Sequence, residues 1–222
     1  MSSLGPVTTE NWGRPPQNRW SFQHVQELFP TCRLARDSSS AFVLPTKPQD
    51  ILQLSFNAAD GASTSICEFL AAACCDAFLV VHSGHVIAEH YFNEMTVRSH
   101  HLLNSVTKSF VGMLAGIAVD RDQLEPSSLI SRYLPELDSA AWQGTTIRHL
   151  LDMTAAAQYT EDYADPDTDL WKESAVVGWR PALASDQTPR TLLDYARSLD
   201  GQDMENGSRF QYRTVCANVL GM

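Results

Sequence analysis

The stretch HLLNSVTKSF, residues 101–110, places Ser105 three residues before Lys108 and runs directly into an apolar segment. The apolar residues that follow recur at helical spacing; they are Phe110, Met113, Leu114 and Ile117. The pattern predicts a helix that begins here, with Asn104 as its N-terminal cap. Because residues three apart share one face of a helix, the Lys108 amine can reach the Ser105 hydroxyl.

This spacing leaves two interpretations open. In the first, the apolar helix is buried, burial favours an uncharged Lys108 amine, and that amine takes the proton of a nucleophilic Ser105. The helix N-terminus and the amide N–H of Ser105 would then stabilise the oxyanion. In the second, Ser105 only caps the helix and Lys108 is solvated. Average composition produces about one Ser-x-x-Lys by chance in a chain of this length, so spacing alone favours the second interpretation.

Composition excludes several classes of function. The 222 residues include 16 Lys and Arg against 26 Asp and Glu, a formal charge of −10, which argues against nucleic-acid and anionic-membrane partners. The N-terminal sequence does not have the pattern of a signal peptide, so we expect a cytoplasmic protein whose five cysteines are reduced. Nothing in the sequence determines the oligomeric state.

The pattern along the chain predicts an extended arm over residues 1–64 and a folded domain over residues 65–222, which the family resemblance described below identifies as the N-terminal part of a catalytic domain. A helix is predicted for SICEFLAAACC (65–75) and a hairpin for DAFLVVHSGHVIAEHYF (76–92). Three more helices and one acidic loop are predicted; they are SLISRYLPEL, TTIRHLLDMTA with Thr145 or Thr146 as cap, TPRTLLDYARSL, and the loop YTEDYADPDTDLWKE. The last residues, CANVLGM, have the pattern of a helix's first turns. We therefore expect this chain to be the N-terminal part of a longer protein.

Several blocks in order carry a family resemblance. LLNSVTKSFVGMLAGIAVDRDQL, followed by ISRYLPEL and TIRHLLDMTAA, resembles the serine β-lactamase-like hydrolases, which are related to class C β-lactamases and D-alanyl-D-alanine carboxypeptidases. PPQNRW, EDYADP and GWR add to the likeness, which is strongest to linear-amide hydrolases and esterases of that family. The resemblance implies an α/β (α+β) fold: an antiparallel sheet flanked by helices, with a helical region after the nucleophile helix, here C-terminally incomplete.

The resemblance also implies roles for individual residues. Ser105 would be the acylated nucleophile, Lys108 its general base, and Tyr212, in RFQYRT, the proton shuttle to the leaving group. Tyr163, in EDYADP, would contact the substrate amide, and Thr214 stands where Asn or Ser is common in the second motif, with a hydroxyl that can still bond to lysine or substrate. Taken without the family, both tyrosines also fit packing roles, Tyr212 at a strand end and Tyr163 at the edge of the core.

The function these features predict is a serine hydrolase that cleaves small esters or linear amides through an acyl-enzyme, with no cofactor and no metal. A β-lactamase or peptidoglycan peptidase is one alternative. The other is a catalytically inactive family member that binds a ligand or partner. Thr214 favours that alternative, as does the lack of the family's third motif, a Lys-Thr-Gly or His-x-Gly sequence.

Overall fold

The computed structural model describes residues 5–35, 42–181 and 189–222. Contacts divide the chain into two units, Met1–Leu102 and Leu103–Met222. The arm predicted for residues 1–64 and the domain predicted for residues 65–222 stay predictions. Among the described residues, no helix combines the length and the apolar character needed to cross a membrane.

In its described residues, the first unit contains short helices and two antiparallel two-stranded sheets. Its elements are α1 (Asn18–Ser21), α2 (Val25–Leu28), β1 (Ser55–Asn57), β2 (Ser63–Ser65), α3 (Ile66–Ala72), β3 (Ala77–His82) and β4 (His85–Tyr91). β1 pairs with β2, and β3 pairs with β4. Two separate pairs thus stand where the resemblance implied one larger sheet.

The hairpin predicted around Ser83 and Gly84 is confirmed. Both residues have positive φ, +49° and +76°, the backbone that a two-residue turn between right-twisted strands requires. The preceding helix α3 starts as its sequence predicts, because Ser65 and Glu68 form a reciprocal capping box. It ends at Ala72, earlier than predicted, and Cys74 follows in the left-handed region at φ +54°.

In the described residues of the second unit, the regular elements are all helices, joined by turns and irregular segments. Its elements are a 3₁₀ turn (Asn104–Val106), α4 (Thr107–Asp120), 3₁₀ turns at Ile130–Arg132 and Ala140–Trp142, α5 (Ile147–Leu151), α6 (Asp169–Val176), α7 (Leu192–Ser198) and α8 (Thr214–Leu220). Thr146 caps α5 and Thr191 caps α7 through their hydroxyls. The predicted acidic loop is shorter than expected, since α6 begins inside it at Asp169.

The start of α4 differs from the prediction in one respect. Asn104 does not cap the helix: it is the first residue of the 3₁₀ turn, with φ +46°, and that turn leads without a break into α4. The residue at the N-cap position, Val106, already has helical dihedral angles, so no side chain caps this end.

The apolar stripe of α4 also differs from the prediction. Its residues were expected to be buried but are 45–65% exposed; they are Phe110, Met113, Leu114 and Ile117. The buried residue of α4 is instead Ala115, and α4 contacts α8. In the described chain the helix therefore rests on its small side chains, and its large apolar side chains face outward.

The core of the second unit surrounds α8. Val215, Cys216 and Val219 are buried there, and α8 contacts α4, α5, α6 and α7. Trp142 fills the centre, and its indole N–H donates to the Ala196 carbonyl at 2.8 Å. Burial raises the pKa of the Cys216 thiol to about 12, so this thiol stays protonated at neutral pH.

A buried cation fixes the backbone that leads into α8. Arg213 is fully buried. Its Nη2 lies 2.6 and 2.7 Å from the two carboxylate oxygens of Asp203, and its Nη1 donates to the carbonyls of Ala155 and Ala157. Since a buried charge is stable only when it is paired and hydrogen-bonded, these four contacts hold Arg213 in one position.

Replacing Arg213 with Met should lower the free energy of unfolding by about 3–5 kcal/mol, because it leaves Asp203 without its partner and two carbonyls without a donor. Urea unfolding at neutral pH measures the loss. Arg209→Met is the matched control: Arg209 is exposed four residues earlier, and its replacement should change stability by no more than about 0.5 kcal/mol. Equal effects from the two variants would contradict the anchoring role.

Candidate active site

Ser105 and Lys108 lie in direct contact. Lys108 Nζ is 3.0 Å from Ser105 Oγ, within hydrogen-bonding distance. Ser105 belongs to the 3₁₀ turn and Lys108 to the first turn of α4. Because a 3₁₀ turn has three residues per turn, side chains three apart eclipse one another, and the local backbone itself brings the amine to the hydroxyl. The pair also stands at the helix N-terminus, where the dipole favours a developing negative charge.

The surroundings of this pair are more open than the sequence suggested. Ser105 is exposed and Lys108 is half-buried in the described chain, whereas the nucleophile interpretation expected a buried amine. The difference follows from the outward-facing apolar stripe of α4, which does not enclose the amine. The hydroxyl is consequently accessible to a substrate or a reagent.

Tyr212 lies beside the amine. Lys108 Nζ is 5.3 Å from the centre of the Tyr212 ring, a cation–π distance. Tyr212 is 38% exposed and lies in an irregular segment just before α8, not at a strand end. Three of the residues singled out in the sequence thus meet at one place, with Ser105 and Tyr212 both close to the Lys108 amine.

Glu161 joins the two remaining predicted site residues. Its Oε1 accepts hydrogen bonds from the hydroxyls of Tyr163, at 2.8 Å, and Thr214, at 2.9 Å, while its Oε2 accepts from the Thr214 backbone N–H at 2.7 Å. The Tyr163 ring packs edge-on against Trp171. The hydroxyl hydrogen of Thr214 is committed to Glu161, so towards Lys108 or a substrate that oxygen serves as an acceptor.

The ionisation of Tyr163 depends on its neighbours. Partial burial, the hydrogen bond to Glu161 and the charge of that carboxylate raise the pKa of Tyr163 above its ordinary value, and the nearby Tyr212 raises it further. Tyr163 therefore stays a neutral phenol at physiological pH, with its proton directed at Glu161.

A second carboxylate lies beneath the site. Glu173 is 3% exposed, and it accepts hydrogen bonds from the Tyr159 hydroxyl at 2.7 Å and from Asn218 Nδ2 at 2.8 Å. Burial raises the pKa of Glu173 above 4.5 more than these two hydrogen bonds lower it, and the positive charge of Lys108 pulls the pKa down in turn. Lys108 and Glu173 are therefore close enough to interact electrostatically.

Sequence reasoning missed Glu161, Glu173 and Arg213. Glu161 stands among several acidic residues of one segment, and no local signal separates it from them. Arg213 lies between Tyr212 and Thr214, which the family's second motif did single out, yet nothing in the sequence indicates that Arg213 is buried. Only the packing of distant segments distinguishes these residues from solvated charges.

His101 is a further basic residue close to Ser105 in the sequence. Within the first unit its Nε2 lies 3.2 Å from Asp76 Oδ2, and its Nδ1 lies 2.9 Å from the Leu102 carbonyl. Both ring nitrogens therefore have partners within that unit.

With this geometry in place, comparison with known proteins defines the class. Residues 66–222 match the family model named Beta-lactamase. The chain belongs to the Beta-lactamase family.

Its relatives include two proteins that are named as enzymes. The 6-aminohexanoate-dimer hydrolase of Paenarthrobacter ureafaciens is 30% identical over 222 residues, 99% of this chain and 53% of that protein. A Beta-lactamase of Escherichia coli (strain K12) is 35% identical over 101 residues, 45% of this chain and 25% of that protein.

The solved structures agree on the fold. The "Putative 6-aminohexanoate-dimer hydrolase from Bacillus anthracis" superposes with a TM-score of 0.85 at 23% identity, over 96% of this chain and 56% of that one. The β-lactamase-like fold implied by the sequence is thereby confirmed in its overall form. The chain spans about half the length of the two 6-aminohexanoate-dimer hydrolases it matches.

Glu173→Gln should change how stability depends on pH. The pKa of Glu173 is higher in the folded than in the unfolded state, so its contribution to stability is fully present below about pH 4.5 and is lost as the pH rises through the folded-state pKa. Glutamine cannot ionise, so the stability of the wild type relative to Glu173→Gln should fall as the pH rises above about 4.5. Urea unfolding at a series of pH values measures this difference.

Glu136→Gln is the control for this measurement, because Glu136 is exposed in the same unit. Its stability should run parallel to that of the wild type over the same pH range. A difference between wild type and Glu173→Gln that stays constant with pH would contradict a raised pKa at Glu173.

Proposed function

We propose that the protein is a serine hydrolase that cleaves small esters or linear amides through a covalent acyl-enzyme on Ser105. The observation that carries the proposal is the 3.0 Å contact between Lys108 Nζ and Ser105 Oγ at the start of α4. Membership of the Beta-lactamase family supports it. A dimer of 6-aminohexanoate, the compound named in one relative, is joined by a linear amide bond, which supports the substrate class.

The chemistry follows from the positions of the side chains. With the Lys108 amine uncharged, the Ser105 hydroxyl donates to Nζ, and its oxygen attacks the carbonyl carbon of the substrate as the proton passes to the amine. The tetrahedral intermediate then collapses, the bond to the leaving group breaks, and Tyr212 assists by returning a proton to that group. Water attacks the acyl-enzyme by the same route in reverse and releases the acid. Tyr163 and Thr214 contact the substrate.

Covalent labelling tests the nucleophile directly. A fluorophosphonate should modify Ser105 in the wild type, as found by mass spectrometry of the labelled peptide, and should not modify Ser105→Ala. Lys108→Met should slow labelling by about 10²-fold or more, the usual contribution of a general base. Ser109→Ala, which removes another exposed hydroxyl from the first turn of the same helix, should label at the wild-type rate.

Hydrolysis of p-nitrophenyl acetate gives the second measurement. The wild type and Ser109→Ala should hydrolyse the ester at the same rate. Ser105→Ala should hydrolyse it no faster than buffer without protein. Equal rates for wild type and Ser105→Ala, together with labelling elsewhere than Ser105, would reject the hydrolase and favour a ligand-binding member of the family.

A further inference from the structure

Glu161 connects two segments that lie far apart in the sequence. Through Thr214 it reaches a residue 53 positions away, and it does so with both carboxylate oxygens, one on the backbone N–H and one on the hydroxyl. Through Tyr163 it also fixes the loop in which it stands. A single half-buried side chain therefore sets the distance between the acidic loop and the segment that precedes α8.

That segment carries Tyr212. Arg213, the next residue, is fixed by its buried contacts with Asp203 and two carbonyls, and Thr214, the one after, is fixed by Glu161. With two successive residues held, the backbone position of Tyr212 follows, and its ring stays against the Lys108 amine. Arg213 holds the segment from the core side, and Glu161 holds it from the side of the acidic loop.

The charge of Glu161 also affects the ionisation of neighbouring side chains. It raises the pKa of Tyr163, and it also raises the pKa values of Glu173 and Cys216. Because the Tyr163 proton is donated to Glu161, the phenol oxygen presents lone pairs to any further partner and acts there as an acceptor.

We infer that Glu161 is a positioning residue of the active site, which holds Tyr163 and the Tyr212–Thr214 segment in register with Ser105 and Lys108. The inference rests on the proposed function and assigns a role to a residue that touches none of the reacting atoms. Small displacements of groups around a reaction centre cost about 10²-fold in rate, so the effect is measurable.

The test compares three variants by fluorophosphonate labelling and by p-nitrophenyl acetate hydrolysis, with rates expressed per labelled active site. Glu161→Ala should reduce both rates by about 10²-fold. Glu161→Gln keeps one acceptor oxygen for the two hydroxyls but places an amide N–H₂ against the Thr214 N–H, so we expect a partial rescue, to about 10-fold below wild type. Asp167→Asn removes the same charge from an exposed position of the same loop and should leave both rates unchanged.

A spectroscopic readout separates positioning from a general loss of stability. In Glu161→Ala one tyrosine should ionise at lower pH than in the wild type, as followed by phenolate absorbance, and the change should disappear when Tyr163 is also replaced by Phe. Circular dichroism checks that each variant is folded. If Glu161→Ala does not fold, the rates and the tyrosine ionisation are both measured on Glu161→Gln instead.

Two outcomes would overturn the inference while the proposed function stands. In the first, Glu161→Ala and Glu161→Gln both label and hydrolyse at the wild-type rate per labelled site. In the second, the pH at which tyrosine ionises is the same in the wild type and in the Glu161 variants. If the wild type itself is not labelled at Ser105, the proposed function fails, and the positioning role fails with it. The two failures are therefore distinguishable by the behaviour of the wild type alone.

Discussion

The second unit depends on the buried guanidinium of Arg213. Within a core of apolar helices, this side chain has four polar partners and connects three separate pieces of chain: the carbonyls of Ala155 and Ala157, the carboxylate of Asp203, and its own backbone at the start of α8. A cation can stay in such a place only if all of these acceptors converge on it. The requirement restricts the packing far more than apolar burial does, because apolar contacts tolerate small shifts and a bidentate ion pair does not.

The candidate site has two parts, one positioned by the contacts of Arg213 and one positioned by the local backbone at the start of α4. Ser105 and Lys108 need no distant support to meet, since the 3₁₀ turn aligns them. Tyr212 belongs to the segment that Arg213 and Glu161 hold. The site therefore combines a pair that one helix start creates with a third side chain that the tertiary fold delivers.

Sequence reasoning succeeded where the cause of a feature is local. The hairpin turn follows from Gly84, which accepts positive φ, between two runs rich in β-forming residues. The cap at Thr146 follows from a hydroxyl placed before an apolar run. It failed where a competing local structure or a distant contact prevailed. Asn104 is a good cap by type, but the 3₁₀ turn makes a side-chain cap unnecessary. Asp169 begins a helix because Thr160, nine residues earlier, shares reciprocal hydrogen bonds with it.

The sequence by itself determined the family, through several blocks spread along the chain. It also determined the presence of helix α4 and the i, i+3 pair of Ser105 and Lys108, because both depend on residues within a few turns of one another. The tertiary structure alone decided that Arg213 is buried and that Glu161, among many acidic residues, joins the loop to α8. It also decided that the apolar stripe of α4 faces outward. The physical reason is one of range: helical spacing fixes which neighbours share a face, but only the packing of the whole unit decides which face is covered and which charges meet.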